Sequence, residues 1–117
     1  MPAFNIKRED KVRLQHMLDA ALEIQQYVQY STREDLNRDR KLVHSLVRLL
    51  EIIGEAAAQV SEELRENIQE IPWSIMIGMR NRLIHAYFTI NLNVVWITST
   101  EDIPLLVVEL EKILDRG

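Results

Sequence analysis

The sequence predicts an all-α fold, an antiparallel bundle of four to five helices. Three observations carry this. Apolar residues recur at helical spacing through two long stretches, residues 8–30 and 39–60. The 117 residues include only three Gly and three Pro, which favours long helices over a loop-rich β fold. No segment alternates apolar and polar residues for long enough to read as a strand. The length suits one domain spanning residues 1–117, large enough to bury a core without disulfides.

In the first helix, Val12, Leu14, Leu18, Ala21, Leu22, Ile24 and Val28 make a broad apolar side. Two overlapping cap signals follow, Ser31 with Glu34 and, more loosely, Thr32 with Asp35, and predict a short helical turn. In the second long helix, Leu42, Leu46, Leu49, Ile53, Ala56 and Val60 form one apolar row. Val43, Val47, Leu50, Gly54 and Ala57 form the next. A stripe this wide implies two neighbours. His44, Arg48, Glu51 and Glu55 share the remaining side. A shorter helix covers about 61–68. Ile71-Pro72 interrupts the chain, because Pro disfavours helix in the residue before it. A further helix is expected from Trp73 to His85 or Tyr87. Asn93 is placed to cap a short helix through Trp96. The last helix opens at Thr100-Glu101-Asp102 with Pro104 in its first turn, where Pro is tolerated.

Composition excludes several classes of function. There is no Cys, hence no disulfide, thiolate metal site or Cys nucleophile. The three His (His16, His44 and His85) stand far apart, so no metal site is expected. There is no Gly-x-Ser-x-Gly elbow and no Gly-rich phosphate loop, and no cofactor is implied. The N-terminal residues lack a signal-peptide apolar region, and no apolar run approaches the ~18 residues needed to span a bilayer. A cytoplasmic protein without a membrane partner is the expectation. The net charge of −4 argues against broad coating of nucleic acid but leaves room for a local site. Ten of the fourteen basic residues are Arg, the side chain better suited to bidentate phosphate contacts.

The most informative stretch is Arg80-Asn81-Arg82-Leu83-Ile84-His85-Ala86-Tyr87. On a continuous helix at about 100° per residue, Trp73, Ile77, Ile84 and Tyr87 fall within about 60° of Arg80. Arg80 then points where the apolar stripe points, and a charge there is rarely buried unpaired. His85 falls about 140° away, on a seam with Ser74, Gly78 and Asn81. For Arg80 and His85 to act together, the helix end must bend or a second copy must supply one of them.

The spacing Arg-x4-His-x-Tyr, with Asn directly after the Arg, resembles the signature of HEPN-domain ribonucleases, and most closely the HepT-like toxins of bacterial toxin–antitoxin pairs. Three other stretches agree with it: Arg48-Leu49-Leu50-Glu51-Ile52-Ile53-Gly54-Glu55-Ala56, Ile71-Pro72-Trp73, and Val95-Trp96-Ile97 followed by Ile103-Pro104-Leu105. Together they extend the similarity from about residue 7 to the C-terminus.

This resemblance implies a metal-independent endoribonuclease acting on tRNA or mRNA. The RNA 2′-hydroxyl is the nucleophile, so the protein must move a proton and oppose charge on the phosphate. Arg80 and His85 are the implied catalytic pair, and Asn81 is placed to orient the imidazole or the phosphate. Arg82, Arg48, Glu51 and Glu55 are supporting residues. The resemblance also implies a homodimer with a cleft between protomers, and a cognate minimal nucleotidyltransferase antitoxin that attaches AMP to Tyr87. The residues alone also permit plainer readings. Arg80 can pair with Glu51 or Glu55 across the bundle, His85 can complement a helix C-terminus, and Tyr87 can be an aromatic at the core rim. Glu51 and Glu55 can belong to a surface charge network. The alternative function is a non-catalytic HEPN module that binds nucleotides or a nucleotidyltransferase partner.

Overall fold

The computed structural model describes residues 5–84 and 89–116. Helix α1 (Arg8–Gln29) turns Leu14, Met17, Leu18, Ala21 and Ile24 inward. The turn into α2 (Asp35–Arg38) uses the second of the two cap signals: the Thr32 N–H donates to Asp35 Oδ2 at 2.8 Å and the Asp35 N–H to Thr32 Oγ1 at 3.3 Å. Ser31 Oγ instead donates back to the Tyr27 carbonyl. Asp39 caps α3 (Arg40–Gln59), its carboxylate accepting from the Leu42 N–H at 3.0 Å.

The wide stripe of α3 meets two neighbours, as its two apolar rows predict. One side packs on α1, the other on α5 (Trp73–Ile77) and α6 (Met79–Leu83). Both pairings are antiparallel: the start of α1 meets the end of α3 where Asp10 bonds Ser61, and Glu51 and Gly54 of α3 face Arg80 and Met76 respectively. Helix α4 (Glu62–Asn67) begins at the Asp10 contact. Buried Asp10 accepts from the Ser61 N–H at 2.8 Å and from Ser61 Oγ at 2.6 Å, while the same Oγ accepts from the Leu64 N–H. Leu46, Leu50, Ile53, Met76, Leu83 and Leu110 belong to one continuous core.

The helix expected from Trp73 to His85 or Tyr87 is shorter and divided. Gly78, a poor helix former, separates α5 from α6. Ile84 is extended (φ −116°, ψ 120°) and forms an isolated antiparallel bridge with Ile90, and the Asn91 N–H donates to the Leu83 carbonyl at 2.7 Å. Leu83 is therefore the last residue of α6.

Helix α7 (Leu92–Ile97) is capped by Asn91, not Asn93: the Asn91 side chain accepts from the Val94 N–H, while Asn93 accepts from Arg33 Nε at 2.8 Å. Nor does a new helix open at Thr100. A π-helical turn, Thr98–Asp102, runs α7 directly into α8 (Ile103–Arg116). Pro104 accounts for this. In a regular helix its ring would clash with the Thr100 carbonyl. The wider turn relieves that, with the Ile103 N–H bonding five residues back to Thr98. Helix α8 packs on α1 and closes the bundle. No helix of the described residues is long and apolar enough to cross a membrane.

Candidate active site

The polar side of α3 forms one wall of a cleft of about 390 Å³, lined by Arg48, Glu51, Gly54, Glu55 and Ala58, with Ile77 and Arg80 opposite. Residues at i, i+3, i+7 and i+10 share a helix face, so Arg48, Glu51, Glu55 and Ala58 line up without any irregularity in α3. Gly54 sets the depth. A Cβ there would lie 2.6 Å from the Met76 carbonyl oxygen, so only Gly lets the α5 backbone approach this closely.

Two ion pairs cross this surface. Arg80 Nη1 stands 3.3 Å from Glu51 Oε2, which links α6 to α3. Of the two partners the sequence left open for Arg80, the structure selects Glu51. Arg48 Nη1 stands 3.0 Å from Glu55 Oε1, so Arg48 lies along α3 instead of bridging helices. The pairs differ in solvation: the Glu51 side chain is 17% exposed, whereas the Glu55 side chain is 61% exposed. Such pairs contribute about 0–1 kcal/mol when exposed. Their effect here is orientation more than stability. A guanidinium has five N–H donors, and Glu51 engages Nη1 of Arg80 alone. Among the described residues Glu51 is its one hydrogen-bond partner, so Arg80, 67% exposed, has donors to offer an anion.

The expectation that Arg80 sits within the apolar stripe is corrected. Met79 and Leu83 take the inward positions of α6, and Arg80 lies at the edge of that face. The helix ends at Leu83 with Ile84 already extended, so angles taken from a continuous helix hold only as far as Leu83. The angular argument for a second copy loses its premise. His85 and Tyr87 lie outside the described residues. Asn81 and Arg82 are exposed on α6 and do not line the cleft.

A second hollow, about 560 Å³, adjoins the first through shared Ile77. Glu62, Arg65, Glu66, Gln69 and Trp73 line it, with Ser74 and Gly78 of the small-residue seam. Sequence reading missed two polar features. Asp10 reads as an ordinary acidic residue of a first helical turn, with no local signal of its partner 51 positions on. The buried Thr98 and Ser99 hydroxyls lie in the π-helical turn, which Pro104 signals only indirectly. Among the described residues, no group of three or more His, Asp or Glu is placed to hold a metal ion.

The family model described as Ribonuclease HepT-like matches residues 17–113. A protein named "Probable ribonuclease HepT" from Thermococcus cleftensis is 38% identical over 108 residues, covering 92% of this chain and 98% of that protein. A protein named "Putative RNase" from Caldanaerobacter subterraneus subsp. tengcongensis is 37% identical over 103 residues, covering 88% and 92%. No solved structure matches.

Proposed function

The chain belongs to the HepT-like ribonuclease family, and from that premise we propose that it is a metal-independent endoribonuclease, the toxin of a toxin–antitoxin pair, with residues 1–117 as its single domain. The observation that carries this reading is the Arg80–Glu51 pair, which holds an exposed guanidinium at the wall of an open cleft. In this reading Arg80 binds the scissile phosphate and opposes the charge that develops on it. His85 transfers protons, an imidazole being the side chain whose ordinary pKa suits that task near neutrality. Asn81 assists, and Arg82, Arg48, Glu51 and Glu55 support the site. The 2′-hydroxyl attacks the adjacent phosphorus as the P–O5′ bond breaks. The 2′-hydroxyl proton goes to the general base, and a proton is delivered to the departing 5′-oxygen. The products are a 2′,3′-cyclic phosphate and a 5′-hydroxyl.

Family membership also supports a homodimer, a cytoplasmic location and a cognate minimal nucleotidyltransferase antitoxin, with Tyr87 as the residue that receives AMP. A bulky anionic group two residues from His85 would compete with RNA phosphate.

The test is incubation of the purified protein with total tRNA in EDTA, beside His85→Ala and Arg80→Ala, after sedimentation has established the oligomeric state. Cleavage by the parent alone, leaving 2′,3′-cyclic ends, is expected. A monomer that cleaves removes the dimer from the mechanism. An unmodified dimer that cleaves nothing overturns the ribonuclease reading in favour of a binding module.

A further inference from the structure

The same cleft holds a second guanidinium that cleavage of a single phosphodiester does not require. Arg48 reaches Glu55, seven residues along α3 and about 10 Å of helix rise. Its side chain therefore lies lengthwise on the cleft wall, passing the turn that carries Glu51. Arg48 and Arg80 line the same cleft, Arg48 from α3 and Arg80 from α6. The two arginines are held differently. Glu51, which holds Arg80, is largely enclosed, whereas Arg48 and Glu55 are 63% and 61% exposed. An exposed pair is weak, so a phosphate can displace Glu55 from Arg48 at little cost, and charge-assisted bonds to phosphate replace those lost. Two arginines on facing walls of one cleft match the spaced charges of a single-stranded backbone better than one phosphate.

We propose that Arg48 is a second phosphate subsite, taken by the phosphodiester that flanks the scissile one, with Glu55 as the internal anion it displaces. This rests on the ribonuclease reading above. It makes the enzyme select strands with a phosphate beyond the cut, so substrate length becomes a specificity determinant.

The experiment compares a dinucleoside monophosphate with two trinucleoside diphosphates of the same bases, each carrying one 2′-deoxyribose that blocks cleavage at the extra phosphate. That phosphate lies on the 5′ side of the cut in one and on the 3′ side in the other. The readout is the ratio of kcat/KM between long and short substrates for the parent, Arg48→Ala and Glu55→Gln, with thermal unfolding as the folding control. The parent is expected to favour one trinucleotide by about fivefold or more, a preference that weakens with salt. Arg48→Ala should bring that ratio close to one. Glu55→Gln, which removes the competing carboxylate, should raise it. A merely structural ion pair predicts instead that both variants shift the two substrates together, leaving the ratio at its parental value, and that result overturns the proposal. So does a parent that cuts all substrates equally well. A parent that cuts none overturns the ribonuclease reading itself.

Discussion

Gly54→Ala tests whether the close approach of α3 and α5 builds the cleft. On an isolated helix this change would help, by about 1 kcal/mol, because Ala is the better helix former. Here the new Cβ would lie 2.6 Å from the Met76 carbonyl oxygen, about 0.8 Å short of ordinary contact, which begins at 3.4 Å. The obstructing atom is backbone within a packed helix, so no side-chain rotation relieves it. Helix α5 must move outward, loosening Met76 and Met79, both almost fully buried. Overpacking of this kind costs about 1–3 kcal/mol, and a backbone obstruction belongs at the upper end. After the helix-propensity gain, the net loss is about 2 kcal/mol, or about 8 °C in Tm for a domain of this size. The same displacement carries Arg80 away from Glu51, and misplacement by about 1 Å can cost a hundredfold in rate. Differential scanning calorimetry and RNA cleavage, measured side by side, read the two effects. An unchanged or raised Tm would refute the reasoning, since the propensity gain would then stand unopposed.

Asp10→Ala should lower stability by about 2–3 kcal/mol, because it removes both bonds to Ser61 and loosens the α4 N-terminus. Urea unfolding measures this, and a loss under about 0.5 kcal/mol would show that the α1–α4 link contributes little. Incubation with a cognate nucleotidyltransferase and ATP should add AMP to Tyr87, as read by peptide mass spectrometry. AMP found only at other residues would sink that proposal.

Much of the fold was legible because its signals are local. The boundaries of α1 and α3 follow from apolar periodicity, whereas the Asp39 cap on α3 was not read in advance. The width of the α3 stripe announced contact on two sides. The division at Gly78 and the end at Leu83 were not legible: Met76, Met79 and Leu83 keep nearly the phase of one helix, while the bridge from Ile84 to Ile90 is a tertiary choice. The continuous helix through Thr98–Asp102 was missed because Pro104 reads equally well as a helix start. At the cleft, the shared face of Arg48, Glu51 and Glu55 was visible in their spacing. That Glu51 and not Glu55 meets Arg80 required the register of α3 against α6, which Gly54 determines.

That register also explains how a chain of net charge −4 can present an anion site at all. The described residues that line the cleft include two arginines and two glutamates, so their formal charges cancel. With those charges balanced, local donor geometry carries more of the attraction for a phosphate than a broad basic field does. Glu51 holds Arg80 through one N–H, and the Arg80 side chain is 67% exposed. The antiparallel crossing places this carboxylate where α6 passes, and the more exposed Glu55 one turn further along α3. One glutamate thus aims a guanidinium while the other competes for one. Reversing the α3 register by a turn would exchange those roles without altering the composition of the site.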